Sequence, residues 1–105
     1  MVIHAFAFRW KPNVTADQKL RVQTEILALQ GQIPGLLETH VGFTLRSAKG
    51  TNFSERSQGY EFAGVMKFTD RAALTAYNSH PIHQKLLTWL LPLIDPIELD
   101  FDAST

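Results

Sequence analysis

Four histidines and one tyrosine are the residues of this chain best suited to proton transfer near neutral pH. They are His4, His40, His80, His83 and Tyr77. Imidazole has its ordinary pKa within the physiological range and can therefore act as a general acid or base. A phenol can donate a hydrogen bond to a carbonyl oxygen and stabilise a developing enolate. These residue types therefore favour acid–base chemistry on a carbonyl compound.

His83 and Tyr77 lie on either side of a predicted helix break at Pro81. If Pro81 starts a helix, His83 falls in its first turn, where the helix dipole disfavours a charged imidazole. A neutral histidine can accept a proton, whereas Tyr77 is expected to point its hydroxyl into the same space. From these residues alone, a capping histidine and a core tyrosine are the favoured interpretations, with the catalytic roles as the alternative.

His4 lies on an aromatic strand face with Phe6, Phe8 and Trp10. A histidine among aromatic residues needs a hydrogen-bond partner, and a protein group and a ligand are both open as that partner. His80 directly precedes Pro81 and is predicted to have the structural role of holding the helix break.

Metal and cofactor chemistry is not expected. His80 and His83 are the only close pair of histidines, and they are separated by the break, whereas zinc needs three or four convergent ligands. Cysteine is absent, which excludes disulfides and thiolate catalysis. The sequence contains no glycine-rich phosphate loop and no nucleophile elbow. We therefore expect neither a metal nor an organic cofactor.

Composition limits the class of partner. The 105 residues predict a single domain over residues 1–105, and 45% of them are hydrophobic, which is enough for a core. Ten basic and ten acidic residues give a formal net charge of +0, so neither nucleic acid nor an anionic membrane is an expected partner.

The opening residues lack the pattern of a secretory leader, and the apolar stretch 86–94 is too short to span a bilayer. A cytoplasmic location is expected.

Periodicity predicts four strands and a helical segment after each of the first and third. Residues alternate at a period of two in the strands, and Thr15 with Gln18 forms a capping-box pattern at the start of the first helix. The predicted order is a strand Val2–Trp10, a helix from Thr15 to near Gly31, a strand Leu37–Arg46, a loop Ser47–Gln58, a strand Tyr60–Phe68, helical segments Asp70–Asn78 (capped by Thr69) and Pro81–Leu91, and a strand Ile97–Asp102. This β-α-β-β-α-β order is that of an α+β ferredoxin-like domain.

The strand faces turned away from the helices predict self-association. Two helices can cover only one face of a four-stranded sheet, yet the second face is also apolar. Its predicted members are Ile3, Ala5, Ala7, Ala63 and Val65. An identical sheet is the simplest cover, so we expect a homodimer with His40 near its interface; a monomer with an exposed apolar face is the alternative.

The sequence resembles the stress-responsive A/B barrel family, also called dimeric α/β barrel proteins, over nearly its whole length. The most specific part is the His-Pro-x-His segment that ends at His83. The matching parts are His4–Lys11, Ile33–Gly35, Gly42, Gly59–Tyr60, Ala76–His83 and Leu90–Leu93. The resemblance implies homodimers whose sheets join into a barrel with the helices outside.

The family includes the plant polyketide cyclase that makes olivetolic acid, and the resemblance places its catalytic tyrosine and histidine at Tyr77 and His83. It also places a histidine of that cyclase at His4. Other cyclase pocket positions are occupied here by different residues, namely Val22, Gln23, Ile26 and Phe62. The pocket should therefore differ in shape and polarity, and the cyclase substrate is not carried over.

Three functions remain open at this point. The first is a cofactor-free cyclase or lyase in which His83 removes a C–H proton, Tyr77 holds the carbonyl oxygen and His4 orients a small hydrophobic or aromatic carbonyl compound. Its predicted pocket is lined by Phe6, Phe8, Phe62, Met66, Leu74 and Leu86. The second is a non-catalytic stress-response or metabolite-binding protein, and the third is a cofactor-free monooxygenase.

Overall fold

The computed structural model describes residues 1–45 and 56–104 of the chain. A short 3₁₀ turn, Leu91–Leu93, precedes the last strand. The strands and helices are β1 Val2–Trp10, α1 Ala16–Leu27, β2 Leu36–Phe43, β3 Phe62–Phe68, α2 Arg71–Ser79, α3 Pro81–Leu90 and β4 Ile94–Asp102. The predicted ferredoxin-like α+β fold is confirmed, with its second helical segment divided into α2 and α3 at Pro81. The larger part of the predicted Ser47–Gln58 loop lies outside the described residues.

The sheet has the strand order β2-β3-β1-β4, and every pair is antiparallel. β1 is central and pairs with both β3 and β4. His4 therefore lies opposite Met66 on one side and Asp100 on the other. Because paired residues point to the same face, this register determines which side chains meet at the site.

Local hydrogen bonds explain where the helices begin. The Thr15 hydroxyl accepts from the Gln18 N–H at 3.1 Å, and the Gln18 side chain accepts from the Thr15 N–H at 2.8 Å, which is the predicted capping box. The cap of α2 is Asp70, whose carboxylate accepts from the Ala73 N–H at 2.8 Å. The prediction of Thr69 was wrong because the Thr69 N–H still bonds to the Gly35 carbonyl, 3.0 Å away.

Three strands differ from their predicted bounds, and β2, predicted over Leu37–Arg46, spans Leu36–Phe43. β3 begins at Phe62 rather than Tyr60, and β4 begins at Ile94, three residues before the predicted start. Pro96 lies inside β4, opposite Phe8. A proline is tolerated there because β4 is an edge strand, with one side free of ladder hydrogen bonds.

A β-bulge in β2 reverses part of the predicted alternation. Leu36 lies opposite Phe68 and Glu38 opposite Lys67, so Leu37 is the extra residue between them. Leu36 is consequently buried, whereas Leu37, predicted to share a face with Thr39, is 49% exposed. The bulge explains this difference from the predicted pattern, because one extra residue turns the preceding side chains to the opposite face.

The core lies between the inner face of the sheet and the helices. It joins apolar residues of β1 and β3 to residues of all three helices, including Val22 and Ile26 of α1. No helix in the described ranges has the length and apolar character that crossing a membrane would require.

The opposite face, which we call the outer sheet face, is apolar and uncovered in the single chain. Ile97, Leu99 and Phe101 of β4 are 46%, 62% and 51% exposed. The register places them beside apolar residues of β1. The apolar residues of this face are Ile3, which is already buried in the single chain, and Ala5, Ala7, Ala63, Val65, Ile97, Leu99 and Phe101.

Gly64→Ala is expected to destabilise the protein by about 1–3 kcal/mol, the usual cost of overpacking a core. A Cβ at Gly64 would lie 2.6 Å from both Phe6 Cζ and Val41 Cγ1 and 2.8 Å from the His40 carbonyl oxygen. Urea unfolding measures the loss. Gly42→Ala is the control, because no heavy atom lies within 4 Å of its added Cβ. An equal loss in both variants would contradict this steric explanation.

Candidate active site

His4, Tyr77 and His83, three of the residues singled out from the sequence, converge on a small cavity between the sheet and α3. This inner cavity has a volume of about 30 Å³. Its lining consists of His4, Phe6, Phe8, Ile26, Met66, Tyr77, His83, Leu86, Leu87, Leu90 and Glu98. Seven of the nine residues proposed from the sequence are therefore in this lining. The other two, Phe62 and Leu74, are buried in the core and are not part of the lining.

His83 is the third residue of α3, the helix that Pro81 begins. Its Nδ1 lies 3.2 Å from the carbonyl oxygen of Asn78. When Nδ1–H donates to that oxygen, the Nε2 atom keeps its lone pair and can accept a proton. Burial lowers the pKa of His83, and the neighbouring His4 lowers it further, whereas the Asn78 carbonyl and Glu98 oppose the shift. Burial is thus the main cause of a neutral imidazole.

Tyr77, on α2, lies directly beside His83. Their ring centroids are 4.1 Å apart, and the centroid of the His4 ring is 6.2 Å from that of Tyr77. Burial raises the pKa of the Tyr77 phenol, and the negative charge of Glu98 raises it further. The phenol therefore remains protonated at neutral pH and can donate a hydrogen bond to a substrate oxygen.

His4 has a protein partner, Asp100 on β4. The His4 Nδ1 and Asp100 Oδ1 atoms are 2.6 Å apart, and His4 itself is buried. This arrangement answers the question that the sequence left open for His4. A carboxylate that accepts from Nδ1–H fixes the ring orientation and directs Nε2 away from that carboxylate.

Asp100 and Glu98 are site residues that the sequence reasoning missed. Glu98 lines the cavity and lies opposite Phe6, two residues before Asp100 on the same face of β4. The pattern that contains them was visible, since Glu98, Asp100 and Asp102 alternate with the apolar residues of β4. The missing information was the pairing of β4 with β1, which turns this acidic face toward His4.

The other two histidines lie outside the cavity. His80 caps α3, because its Nδ1 accepts from the Ile82 N–H at 3.1 Å. His40 lies on the outer sheet face opposite Val65, with its Nε2 atom 3.8 Å from a Glu38 carboxylate oxygen. Within residues 1–45 and 56–104, no three His, Asp or Glu side chains come together as metal ligands would.

The arrangement offers a proton acceptor, a hydrogen-bond donor and an oriented second imidazole in a largely apolar cavity. Fold and site together define a small α+β protein equipped for acid–base chemistry. The model of the stress responsive A/B barrel domain matches residues 2–103, so the chain belongs to that family. No match was found among proteins with curated descriptions.

Solved structures show the same architecture. A dimeric ferredoxin-like protein of unknown function from Thermobifida fusca is 30% identical, with a TM-score of 0.78 over 97% of this chain and 90% of that one. The hydroxynitrile lyase from Passiflora edulis is 20% identical, with a TM-score of 0.84 over 95% and 90%. An Arabidopsis thaliana protein is also 20% identical, with a TM-score of 0.85 over 100% and 97%. At 20% identity, the last two likenesses concern the fold alone.

Proposed function

We propose that the protein is a cofactor-independent cyclase or lyase that uses general acid–base catalysis on a small carbonyl compound. The observation that carries this proposal is the pairing of His83 with Tyr77, whose ring centroids lie 4.1 Å apart in the wall of one cavity. One side chain can accept a proton while the other polarises the carbonyl oxygen, and enolate formation needs both functions.

The reaction proceeds by proton transfer and carbon–carbon bond formation. His83 Nε2 takes a proton from the carbon beside the carbonyl, and the C–H electron pair moves into an enolate whose oxygen accepts a hydrogen bond from Tyr77. The enolate carbon then attacks a second carbonyl carbon of the same molecule, and the new alkoxide takes the proton back from His83. In the lyase direction, the same steps run in reverse and the carbon–carbon bond breaks.

His4 has a positioning role in this proposal. Asp100 holds its Nδ1 atom, so the opposite ring nitrogen can bind and orient a polar group of the substrate. The apolar remainder of the substrate packs against Phe6, Phe8, Met66 and Leu86. The Passiflora edulis hydroxynitrile lyase supports a lyase activity, since a lyase of the same fold is known.

We propose that the working unit is a homodimer formed through the outer sheet face. Burying exposed Ile97, Leu99 and Phe101 against the same residues of a second copy removes apolar surface from water. The Thermobifida fusca relative, described as a dimeric ferredoxin-like protein, supports this assembly.

Binding of a hydrophobic metabolite without turnover is the second candidate function, and the mainly apolar lining of the inner cavity favours it. Isotope exchange separates the two. With butyrophenone in D₂O near neutral pD, the enzyme is expected to accelerate loss of the α-CH₂ proton signal above the buffer rate. Shifts of His83 and Tyr77 signals without exchange would instead support binding alone. Consumption of oxygen with an electron-rich aromatic compound would favour a monooxygenase.

A further inference from the structure

The inner cavity is smaller than any substrate that its residues suit. A volume of about 30 Å³ is room for about one water molecule, whereas small-molecule sites have volumes of about 300–1,000 Å³. A groove of about 350 Å³ lies next to it, between α1 and α3, and we call it the α1–α3 groove. Leu86 lines both spaces, so its side chain lies at the boundary between them.

The α1–α3 groove carries two cationic side chains that have no carboxylate partner among the residues that the structure describes. Arg21 and Lys85 belong to its lining, and neither takes part in an ion pair within the described ranges. Glu25 is the single acid of the lining, so the groove has a net charge of one positive unit. An anionic group is the ligand chemistry that such a groove favours.

Arg21 is also held in place. Its guanidinium carbon lies 4.0 Å from the centroid of the Trp89 ring, which indicates a cation–π contact. A guanidinium that packs its face on an aromatic ring keeps N–H donors free at its edge, where a carboxylate can accept two hydrogen bonds. The arrangement limits the entropy lost when an anion binds.

We infer that the α1–α3 groove binds the carboxylate end of the substrate, so that the substrate class is a keto acid. This inference rests on the proposed function of the inner cavity. The carbonyl end lies beside His83 and Tyr77, and the carboxylate contacts Arg21 and Lys85. A rotation of the Leu86 side chain joins the two spaces into one site with the volume that a small organic acid needs.

Two matched ligands test this inference by calorimetry, without any need for turnover. The probes are 4-oxo-4-phenylbutanoate and butyrophenone, which share the phenyl ketone and differ in the carboxylate. The keto acid is expected to bind the wild-type protein at least about tenfold more tightly, the size of one charge-assisted hydrogen bond. Equal affinities would overturn the inference.

Charge-removing variants locate the contact. Arg21→Gln and Lys85→Gln should each weaken binding of the keto acid about tenfold and leave binding of butyrophenone unchanged. Lys19→Gln, on the same helix but outside the groove lining, should alter neither. If Arg21→Gln and Lys85→Gln retain wild-type affinity for the keto acid, or weaken both ligands equally, the groove is not the carboxylate subsite.

The role of Leu86 has its own matched pair. Leu86→Val should strengthen keto acid binding several-fold by widening the passage, whereas Leu90→Val, which enlarges only the inner cavity, should not. Equal effects of the two variants would contradict a passage at Leu86.

Preferential keto acid binding without α-proton exchange would disprove the catalytic proposal and keep the subsite. α-Proton exchange together with equal affinities for the two ligands would support the catalytic proposal and disprove the carboxylate subsite.

Discussion

His83→Asn is expected to slow α-proton exchange by about 10²–10⁴-fold, the range that general acid–base catalysis contributes. Asparagine retains an N–H donor for the Asn78 carbonyl that His83 now contacts, so the local structure should persist. It has no basic nitrogen, and the step that breaks the C–H bond then loses its proton acceptor.

His80→Asn is the matched control for this substitution. It changes a neighbouring histidine to the same residue, but asparagine can replace the cap that His80 gives to the Ile82 N–H. We expect its exchange rate to remain close to that of the wild type. Full activity in His83→Asn, or an equal loss in both variants, would remove His83 from the mechanism.

The pH dependence follows from the lowered pKa of His83, whose ordinary value is 6.5. The wild-type rate of α-proton exchange should rise with pH through a value below 6.5, because the burial that lowers this pKa keeps the imidazole neutral in more acidic solution.

The same lowered pKa makes the stability of the fold depend on pH. Between the folded-state pKa and 6.5, the unfolded chain binds more protons than the folded one. Stability from this group is therefore complete above about 6.5 and is lost as pH falls through the folded-state pKa, a component that His83→Asn should lack.

Leu99→Lys is expected to convert the proposed homodimer into monomers. Leu99 is 62% exposed on the outer sheet face and has Ala5 as its neighbour on β1. A lysine there would place an ammonium group between two apolar sheets, and burial of an unpaired charge costs several kcal/mol. Light scattering should give twice the 11.8 kDa mass of the chain for the wild type and 11.8 kDa for the variant.

Leu20→Lys is the control for the dimer interface. Leu20 lies on α1, is 54% exposed and receives the same substitution without being part of the outer sheet face. Its mass should remain that of the wild type. A wild-type mass of one chain at micromolar concentrations would show that the outer sheet face is not covered by a second copy.

The fold could be predicted because its determinants are local. The period-two pattern of Val2–Trp10, the Thr15 and Gln18 capping box and the break at Pro81 each depend on residues within a few positions of one another. Steric preferences and short-range hydrogen bonds act over the same distances. The bulge at Leu37 was not predictable in this way, since it is defined by the partner strand.

In the candidate site, too, some features depend on local sequence and others on contacts between distant parts of the chain. The sequence by itself determined that His4 lies on the aromatic face of β1 and that His83 lies in the first turn of the helix begun by Pro81, because strand alternation and the proline act locally. The pairing of His83 with Tyr77 as catalytic residues was an expectation that only the resemblance supplied. The tertiary structure alone decided that Asp100 holds His4, that Glu98 enters the cavity and that Arg21 of α1 meets Trp89 of α3. The contact between His4 and Asp100 spans 96 positions of the chain. Its register is set by packing over the whole sheet, and a shift of one residue would have turned Asp100 to the opposite face.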